Sequence, residues 1–519
     1  MGTRSVGMVE NRYFDSVFLM AAARRISEQP GIENVAAVMG SDANKKVLEK
    51  MGFDPAALAE GTPTDLLIAI EGEKNAIEGI LSNVDDWLKR PESRLGNKTA
   101  FSLEDAMTQQ AESNLAVISV PGEYAAQEAR DALERGLNVF LFSDHVSVED
   151  ELKLKQEARE RDLIVMGPDC GTALIAGTGI GFANVVRQGP VGVVASSGTG
   201  LQEFTSLVHR AGSGISHGLG TGGRDLTDAI GGLSTLSAIS ALEKDPNTTV
   251  IAVISKPPGR ETLDRVLERL HRCTKPVTAC FLGMDEEAMP TDLQVHTTID
   301  DAVKAALRLC GGDAPSIPGA APEGLKALIA EQVSLFASDQ CFIRGLFAGG
   351  TFCYQAQQVM KLSDVMVASN APLPGMARLG SESAGNVFID MGADEFTVGM
   401  PHPMIDATQR RKRIVEEAQD PTVAVLLLDV VLGYNASADP AGDLAEAIKE
   451  ARELAATSGR QLAVVASVCG TDQDPQGLDV QEQTLRDAGA IVFPSNAQAS
   501  RFALALHLKL LERGIDVDS

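Results

Sequence analysis

Short runs of Val, Ile, Leu and Ala alternate with longer amphipathic segments from residue 101 onward. The runs at Leu115–Val120, Asn138–Phe142 and Leu163–Gly167 predict three strands, and helices are predicted between them. This alternation is typical of a parallel sheet covered by helices. No Gly-x-Gly-x-x-Gly follows any of the three strands, so we do not expect an NAD site. The pattern predicts a Rossmann-like domain over residues 101–188.

The same alternation occurs twice more, over residues 189–312 and 339–515, and indicates an internal duplication. Each copy begins with a buried-type strand that runs through a Gly/Ser/Thr turn into a helix. We predict two flavodoxin-like doubly wound domains, joined by a linker and connecting helix at residues 313–338. The second copy carries extra chain between Leu362 and Pro403, which we interpret as an active-site loop.

The first 98 residues predict a smaller domain of another type. Strands predicted at Ser5–Glu10, Val35–Met39 and Asp65–Ile70 alternate with helices, which indicates a small α+β domain of ferredoxin-like or ACT-like type. A polar segment with Pro and Gly, residues 90–100, reads as a linker. The predicted fold class is therefore α/β, with a small α+β domain at residues 1–98.

The two turns that open the duplicated units are the main candidates for chemistry. We call Ser196, Ser197, Gly198, Thr199 and Gly200 the first elbow, and Gly349, Gly350 and Thr351 the second elbow. Such turns expose backbone N–H groups at the positive end of a helix dipole, which suits phosphate. Each turn alone is also what a tight connection in an α/β sheet requires. Their occurrence as a pair inside a repeat favours an anion site.

The net charge limits the possible binding partners, and the cysteines indicate the cellular compartment. The 519-residue chain has 45 Lys and Arg against 71 Asp and Glu, a net charge of −26, which argues against nucleic acid and anionic membranes. Its seven cysteines form no C-x-x-C pair, as expected of reduced thiols in the cytoplasm. The sequence shows no secretory signal and no apolar run of membrane-spanning length. We expect a cytoplasmic protein.

Several stretches resemble the α subunit of the succinyl-CoA synthetase superfamily. They are, in chain order, Val117–Gly122, Met166–Gly171, Ser196–Thr199, Gly220–Asp225 and Glu243–Pro246. The second half, with Phe347–Thr351 and Asn386–Gly392, resembles the C-terminal ligase domain of the β subunit. The resemblance implies that α-like and β-like parts are fused, with a CoA-binding Rossmann domain ahead of two ligase domains. In that family the two matching helices direct their N-termini at a phosphorylated histidine.

A narrower resemblance is to the FdrA branch, through Tyr13–Val17, Gly220–Leu226, Ser255–Pro258 and Gly399–Asp406. That branch resembles a component of oxamate carbamoyltransferase, which acts in anaerobic allantoin and purine breakdown with unrelated partner subunits. Two departures from the ligases bear on the chemistry. The region Phe281–Asp285 has no histidine, and the chain has no room for an ATP-grasp domain. A two-helix phosphate cradle remains, which suits carbamoyl phosphate or an acyl phosphate.

Three residues are the candidates for catalysis. Arg224 could bind a carboxylate or phosphate, or form a surface ion pair with Asp225 or Asp228. Lys256 lies at a strand end, where ligand sites of α/β sheets tend to lie. His402, between two prolines, could exchange protons or serve only as a turn residue. The substrate-binding candidates are Gly222, Gly223, Asp225, Pro168, Asp169, Cys170 and Asp390.

Three functions stay open at this point. The first is a carbamoyl- or acyl-phosphate transferase, acting within a hetero-complex or as a homodimer. The second is an acyl-CoA synthetase relative whose residues 101–188 bind CoA, and the third is a non-catalytic regulatory or scaffold protein. CoA and Mg²⁺ are candidate cofactors. The acidic residues Asp390, Asp394 and Glu395 could bind Mg²⁺, but their spacing is not diagnostic and we assign no metal ligands.

Overall fold

A computed structural model describes the chain except residues 1–2, 11, 13, 15, 28, 90–99, 101, 285–288, 312–323, 381–384, 398–399 and 516–519. Most of the predicted linker at 90–100, the start of the one at 313–338, and Tyr13, Asp15, Asp285 and Gly399 lie outside the described residues. The described residues form two compact units, one within residues 1–113 and 400–401 and one within residues 114–397 and 402–519. In the part described, no helix combines the length and apolarity needed to cross a bilayer.

The first unit is a small α+β fold, as predicted. Its elements are β1 (Thr3–Val9), α1 (Ser16–Ser27), β2 (Ile32–Met39), α2 (Asp42–Lys50), α3 (Pro55–Ala59), β3 (Leu66–Gly72), α4 (Lys74–Ser82), α5 (Val84–Trp87) and α6 (Leu103–Gln109). The strands form an antiparallel sheet in the order β1-β3-β2. The central strand β3 is almost wholly buried because its Leu and Ile side chains supply both faces of the core.

The second unit begins with a three-stranded parallel sheet in the order β4-β5-β6. Its elements are β4 (Leu115–Ile118), α7 (Gly122–Glu134), β5 (Asn138–Leu141), α8 (Val148–Glu160) and β6 (Val165–Met166). The carboxyl ends of these parallel strands meet at one edge, which is where open α/β sheets bind ligands. The loops Phe142–Ser147 and Gly167–Gly171 leave that edge.

A seven-stranded sheet follows in the order β13-β12-β11-β9-β10-β7-β8. Its elements are β7 (Thr172–Ile175), β8 (Thr178–Gly181), β9 (Gln188–Ala195), α9 (Gly198–Arg210), β10 (Ile215–Gly220), α10 (Leu233–Lys244), β11 (Val250–Ser255), α11 (Arg260–His271), β12 (Val277–Phe281), β13 (Gln294–His296) and α12 (Ile299–Leu309). Strands β9 to β13 are parallel in the flavodoxin order 2-1-3-4-5. The hairpin β7–β8 pairs antiparallel with β10, although the sequence pattern had assigned these residues to the preceding domain.

The second seven-stranded sheet has the order β16-β15-β17-β14-β18-β19-β20, all parallel. Its elements, with the preceding helix, are α13 (Leu325–Leu335), β14 (Phe342–Phe347), α14 (Gly350–Lys361), β15 (Val367–Ser369), β16 (Ala377–Arg378), β17 (Asn386–Asp390), α15 (Asp394–Thr397), α16 (Thr408–Glu417), β18 (Val423–Val431), α17 (Pro440–Thr457), β19 (Ala463–Cys469), α18 (Leu478–Asp487), β20 (Ala490–Phe493) and α19 (Asn496–Ile515). The segment Leu362–Pro403, expected to be a loop, instead contributes β15, β16 and the buried strand β17.

Reciprocal helix caps join the two halves. Glu203 of α9 accepts the backbone N–H of Asn496, at the start of α19, over 2.9 Å. Gln355 of α14 accepts the N–H of Ile299, at the start of α12, over 2.8 Å. The first helix of each half thus caps the last helix of the other, which satisfies N–H groups that a helix start leaves free. This crossed arrangement is what two related copies facing each other produce.

Candidate functional site

The two elbows touch each other. Ser197 Oγ and Thr351 Oγ1 are hydrogen-bonded, and a Cβ on Gly349 would lie 2.8 Å from Thr199 Cγ2. Strands β9 and β14 therefore deliver the N-termini of α9 and α14 to one place. Most of both turns is buried, and only Gly198 and Gly350 are partly exposed. In the part of the chain that the structure describes, the backbone N–H groups of these two glycines make no hydrogen bond.

The second elbow rests on a buried ion pair. The carboxylate of Asp429, at 0% exposure, accepts the backbone N–H groups of Ala348 and Gly349 over 2.8 and 3.1 Å. Arg410 donates to the same carboxylate over 3.0 Å. Burial raises the pKa of Asp429, and the Arg410 charge opposes that shift. Asp429 therefore fixes the backbone of the second elbow by binding the N–H groups of Ala348 and Gly349. The N–H groups that remain available to a ligand begin at Gly350.

Lys256 connects the two halves of the site. It follows β11, and its backbone carbonyl accepts the hydroxyl of Ser255, whose Oγ in turn accepts the hydroxyl of Ser196 over 2.7 Å. Its ammonium group lies 5.1 Å from the ring centroid of Tyr354 on α14, a favourable cation–π distance. The backbone of Lys256 thus belongs to the first seven-stranded sheet, and its side chain extends to α14 beside the second.

Asp390, at the end of β17, faces the same point. A Cβ on Gly350 would lie 2.6 Å from Asp390 Oδ2 and 3.4 Å from Lys256 Nζ, so both groups border the space beside this glycine. Burial raises the pKa of Asp390, against the opposing charge of Lys256. The other carboxylate oxygen accepts the N–H of Gly392 over 3.0 Å. A small anion beside Gly350 would meet a cation and a carboxyl group whose pKa burial raises.

His402 lies behind Asp390 and is electrically neutral at ordinary pH. Its Nδ1 accepts the N–H of Met404 over 3.2 Å, which assigns the proton to Nε2. Nε2 lies 2.8 Å from the place of a Cβ on Gly392. Burial, with the nearby charge of Arg410, lowers the pKa of His402 to about 4. The imidazole is thus suited to donate a hydrogen bond, not to carry a positive charge.

Asp169 belongs to the edge of the three-stranded sheet, yet it lies in the electrostatic field of Lys256 and Arg224. Its backbone is left-handed, with φ of 53°, and its N–H donates to Ser143 O over 2.9 Å. The residue is exposed but surrounded by protein on several sides. Crowding by the protein raises its pKa to about 6, and the Lys256 charge opposes this shift.

The remaining predicted residues are not brought to this point. Arg224 pairs with Glu151 over 2.9 Å and donates to Val146 O, not to Asp225 or Asp228. Asp225 is fully buried, bound to Lys155 Nζ over 2.8 Å and to the first turn of α10, so its carboxylate has a structural role. Burial raises the pKa of Cys170 to about 12. Pro168 and Gly222 are also buried, whereas Gly223 is exposed.

No group of three or more His, Cys, Asp or Glu side chains is arranged to hold a metal ion among the described residues. Glu395, proposed with Asp390 and Asp394 as a possible Mg²⁺ ligand, instead accepts the side-chain amide of Asn370 over 2.6 Å. Tyr354 and Asn370 border the site and were not found from the sequence. Both lie in ordinary helix or loop contexts, so no local sequence signal marks them.

Comparison with known families agrees with this architecture. A family model described as CoA-ligase matches residues 346–506. A second model, described as the heavy metal-associated domain of AllF, matches residues 1–102. Those 102 residues contain neither cysteine nor histidine, the side chains that bind soft and borderline metals best. The residues present therefore do not fit a heavy-metal site, and we assign none to this unit.

Individual relatives cover different parts of the chain. The α subunit of ADP-forming succinate–CoA ligase from Methanothermobacter thermautotrophicus is 27% identical over 192 residues, covering 36% of this chain and 64% of that subunit. The dinucleotide-forming acetyl-coenzyme A synthetase 1 of Ca. Korarchaeum cryptofilum matches 83% of this chain and 89% of its own at 16% identity, with a TM-score of 0.35. YahF of Escherichia coli K12 is 43% identical over 503 residues, covering 95% of this chain and 96% of YahF. The chain therefore belongs to the YahF-like, FdrA-type family of succinyl-CoA synthetase-like proteins.

Proposed function

We propose that the two elbows bind the phosphate of an acyl- or carbamoyl-phosphate donor, and that the protein transfers the acyl-type group to an acceptor. The observation that carries this proposal is the meeting of the elbows, with Lys256 Nζ within 3.4 Å of the place of a Cβ on Gly350. Two helix N-termini and one ammonium group then converge on a single small space.

This arrangement suits the charge that develops in such a transfer. As the bond between the carbonyl carbon and the phosphate oxygen breaks, negative charge grows on the leaving phosphate. Fixed N–H groups and a nearby cation stabilise that charge without having to reorient. Lys256 also offsets the negative charge of the Asp390 carboxylate, which would otherwise repel the phosphate.

The turn after β12 favours a donor that arrives already activated. This turn, Leu282-Gly283-Met284, contains no histidine that could carry a phosphoryl group. Phosphate-binding elbows without such a histidine can still serve a donor whose acyl–phosphate anhydride was formed elsewhere. Partner subunits would then supply the acceptor.

The direct test is calorimetric titration of the whole chain with carbamoyl phosphate in phosphate-free buffer. We expect saturable binding, and we expect Gly350→Val to abolish it because the new side chain fills the space between Asp390 and Lys256. Gly198→Val should have the same effect from the first elbow. Gly79→Val is the matched control, since a Cβ there meets nothing within 4 Å. Equal affinity in wild type and both elbow variants would refute the phosphate site.

A second candidate function is that of an acyl-CoA synthetase-like subunit that binds CoA. It is favoured by the match to a succinate–CoA ligase α subunit and by the three-stranded parallel sheet with its Pro121-Gly122 turn. Titration of the same preparation with CoA separates the two. CoA binding without carbamoyl phosphate binding would support this function, and binding of either ligand without turnover would support a regulatory role.

A further inference from the structure

Asp390 has one carboxylate oxygen that no group of the described chain binds. The residue is 7% exposed, and its Oδ1 accepts the N–H of Gly392 over 3.0 Å. Among the described residues, Oδ2 has neither a hydrogen-bond partner nor an ion pair. A carboxylate oxygen that is withdrawn from water and has no donor is costly. This oxygen therefore points to a donor that a ligand brings.

The same oxygen borders the proposed phosphate position. A Cβ on Gly350 would lie 2.6 Å from Asp390 Oδ2 and 3.4 Å from Lys256 Nζ. The two charged groups thus flank one space, yet within the described part of the chain they form no ion pair with each other. The ammonium group lies instead 5.1 Å from the ring centroid of Tyr354. A ligand in this space can accept a hydrogen bond from the lysine and donate one to the aspartate.

We propose that Asp390 is a specificity residue, whose Oδ2 accepts a hydrogen bond from an N–H group that the donor substrate carries next to its phosphate. This rests on the proposed function and narrows it to phosphates with an amino group on the acyl carbon. In carbamoyl phosphate, one carbon and one bridging oxygen separate the amino nitrogen from the phosphorus, so both groups fit beside Gly350. An acyl phosphate with a methyl group in that place leaves the carboxylate without a donor.

The charges around the site favour selectivity over general phosphate affinity. Negative charge on Asp390 repels any phosphate ligand, and the Lys256 charge offsets part of that repulsion. The repulsion acts on all phosphate ligands alike, whereas the hydrogen bond to Oδ2 stabilises only those with an N–H group. A hydrogen bond to a charged group changes affinity by about 10- to 100-fold. The carboxylate therefore discriminates against ligands that lack the N–H group.

The test compares carbamoyl phosphate with acetyl phosphate, in which a methyl group replaces the amino group, by calorimetric titration of the whole chain. The titration is run in phosphate-free buffer at pH 8, which favours the ionised carboxylate because burial raises the pKa of Asp390. We expect the wild type to bind carbamoyl phosphate about 10- to 100-fold more tightly than acetyl phosphate.

Asp390→Asn should remove this preference. The N–H of Gly392 keeps the amide oxygen at the place of Oδ1, so the amide NH₂ group takes the place of Oδ2 and cannot accept a hydrogen bond. We expect the two affinities to come within about threefold of each other. The affinity for acetyl phosphate should rise, because the repulsion is gone and the NH₂ group can donate to a phosphate oxygen. A misfolded variant would not bind acetyl phosphate more tightly.

Asp364→Asn is the matched control, because Asp364 is exposed just after the C-terminus of α14, the helix that begins at Gly350. Asparagine tolerates its left-handed backbone, with φ of 56°. This variant removes the same charge and should keep the wild-type preference. A wild type without preference for carbamoyl phosphate, or an Asp390→Asn variant that keeps the preference, would overturn this inference and leave the phosphate site intact. Failure of the wild type to bind either ligand would overturn the proposed function as well.

Discussion

Replacing Glu203 with Gln should make the protein more stable at neutral pH. Glu203 is 1% exposed, and burial, together with the nearby charge of Asp300, raises its pKa to about 8. The folded chain therefore holds a proton on Glu203 at pH 7, where the unfolded chain, with an ordinary value near 4.5, has released it. Glutamine has the shape of the protonated acid and keeps an oxygen to accept the Asn496 N–H. The related helix already uses Gln355 for the same bond.

The magnitude follows from linkage between protonation and folding. The wild type loses stability as pH rises from about 4.5 to about 8, by about 1.4 kcal/mol per pH unit, whereas Glu203→Gln has no such loss. We expect a gain of about 3 kcal/mol at pH 7 and less than about 1 kcal/mol at pH 5. Above pH 8 the difference should stay constant.

Scanning calorimetry between pH 5 and pH 8 is the appropriate assay. The only tryptophan, Trp87, lies in the first unit, so its fluorescence does not report on this interface. Gln355→Glu is the mirror control and should lose stability progressively as pH rises. Glu446→Gln, at an exposed position, should change little at any pH. A Glu203→Gln difference that is absent, or equal at pH 5 and pH 8, would refute the reasoning.

Three further outcomes follow from the geometry. Asp429→Asn should lower stability by about 3 kcal/mol, because it leaves Arg410 buried without its partner, and should also weaken carbamoyl phosphate binding in titration, since the second elbow loses its support. Asp225→Asn should lower stability by less than Asp429→Asn, because Lys155 keeps its bond to Glu151 over 2.8 Å, and should leave that affinity unchanged; a tenfold loss would return Asp225 to the substrate site. NMR titration should find the His402 ring neutral down to about pH 5, and a midpoint near 6.5 would contradict its burial.

Much of the fold could be predicted because the strands are nearly continuous apolar runs. Asn138–Phe142 and Leu163–Gly167, predicted as strands, contain β5 and β6 of the structure, since parallel strands buried on both faces leave little room for polar residues. The sequence did not predict the hairpin β7–β8, whose residues fall in the predicted domain at 101–188 but pair with β10 in the structure. Its partner β10 is distant in sequence and its short Thr/Gly-rich strands give no periodic signal.

The site was only partly predictable, because several of its side chains bind partners that are distant in sequence. The elbows and Lys256 carry local signals, a glycine-rich turn and a strand end, and the structure places them together. Arg224 and Asp225 had equally good local signals, yet their partners, Glu151 and Lys155, come from a helix about 70 residues earlier. Nothing local to Glu203 marks it as a cap on α19, because that bond spans 293 residues.

The crossed caps explain why the elbows depend on both halves of the chain. Each elbow begins a helix whose later turn holds the other half in place, Glu203 through Asn496 and Gln355 through Ile299. A shift that separates Ser197 from Thr351 would also have to break these buried bonds. An unpaired N–H in such a setting is costly, so the caps act as a clamp on the site. Glu203 can ionise whereas Gln355 cannot. Only the cap on α19 therefore depends on pH.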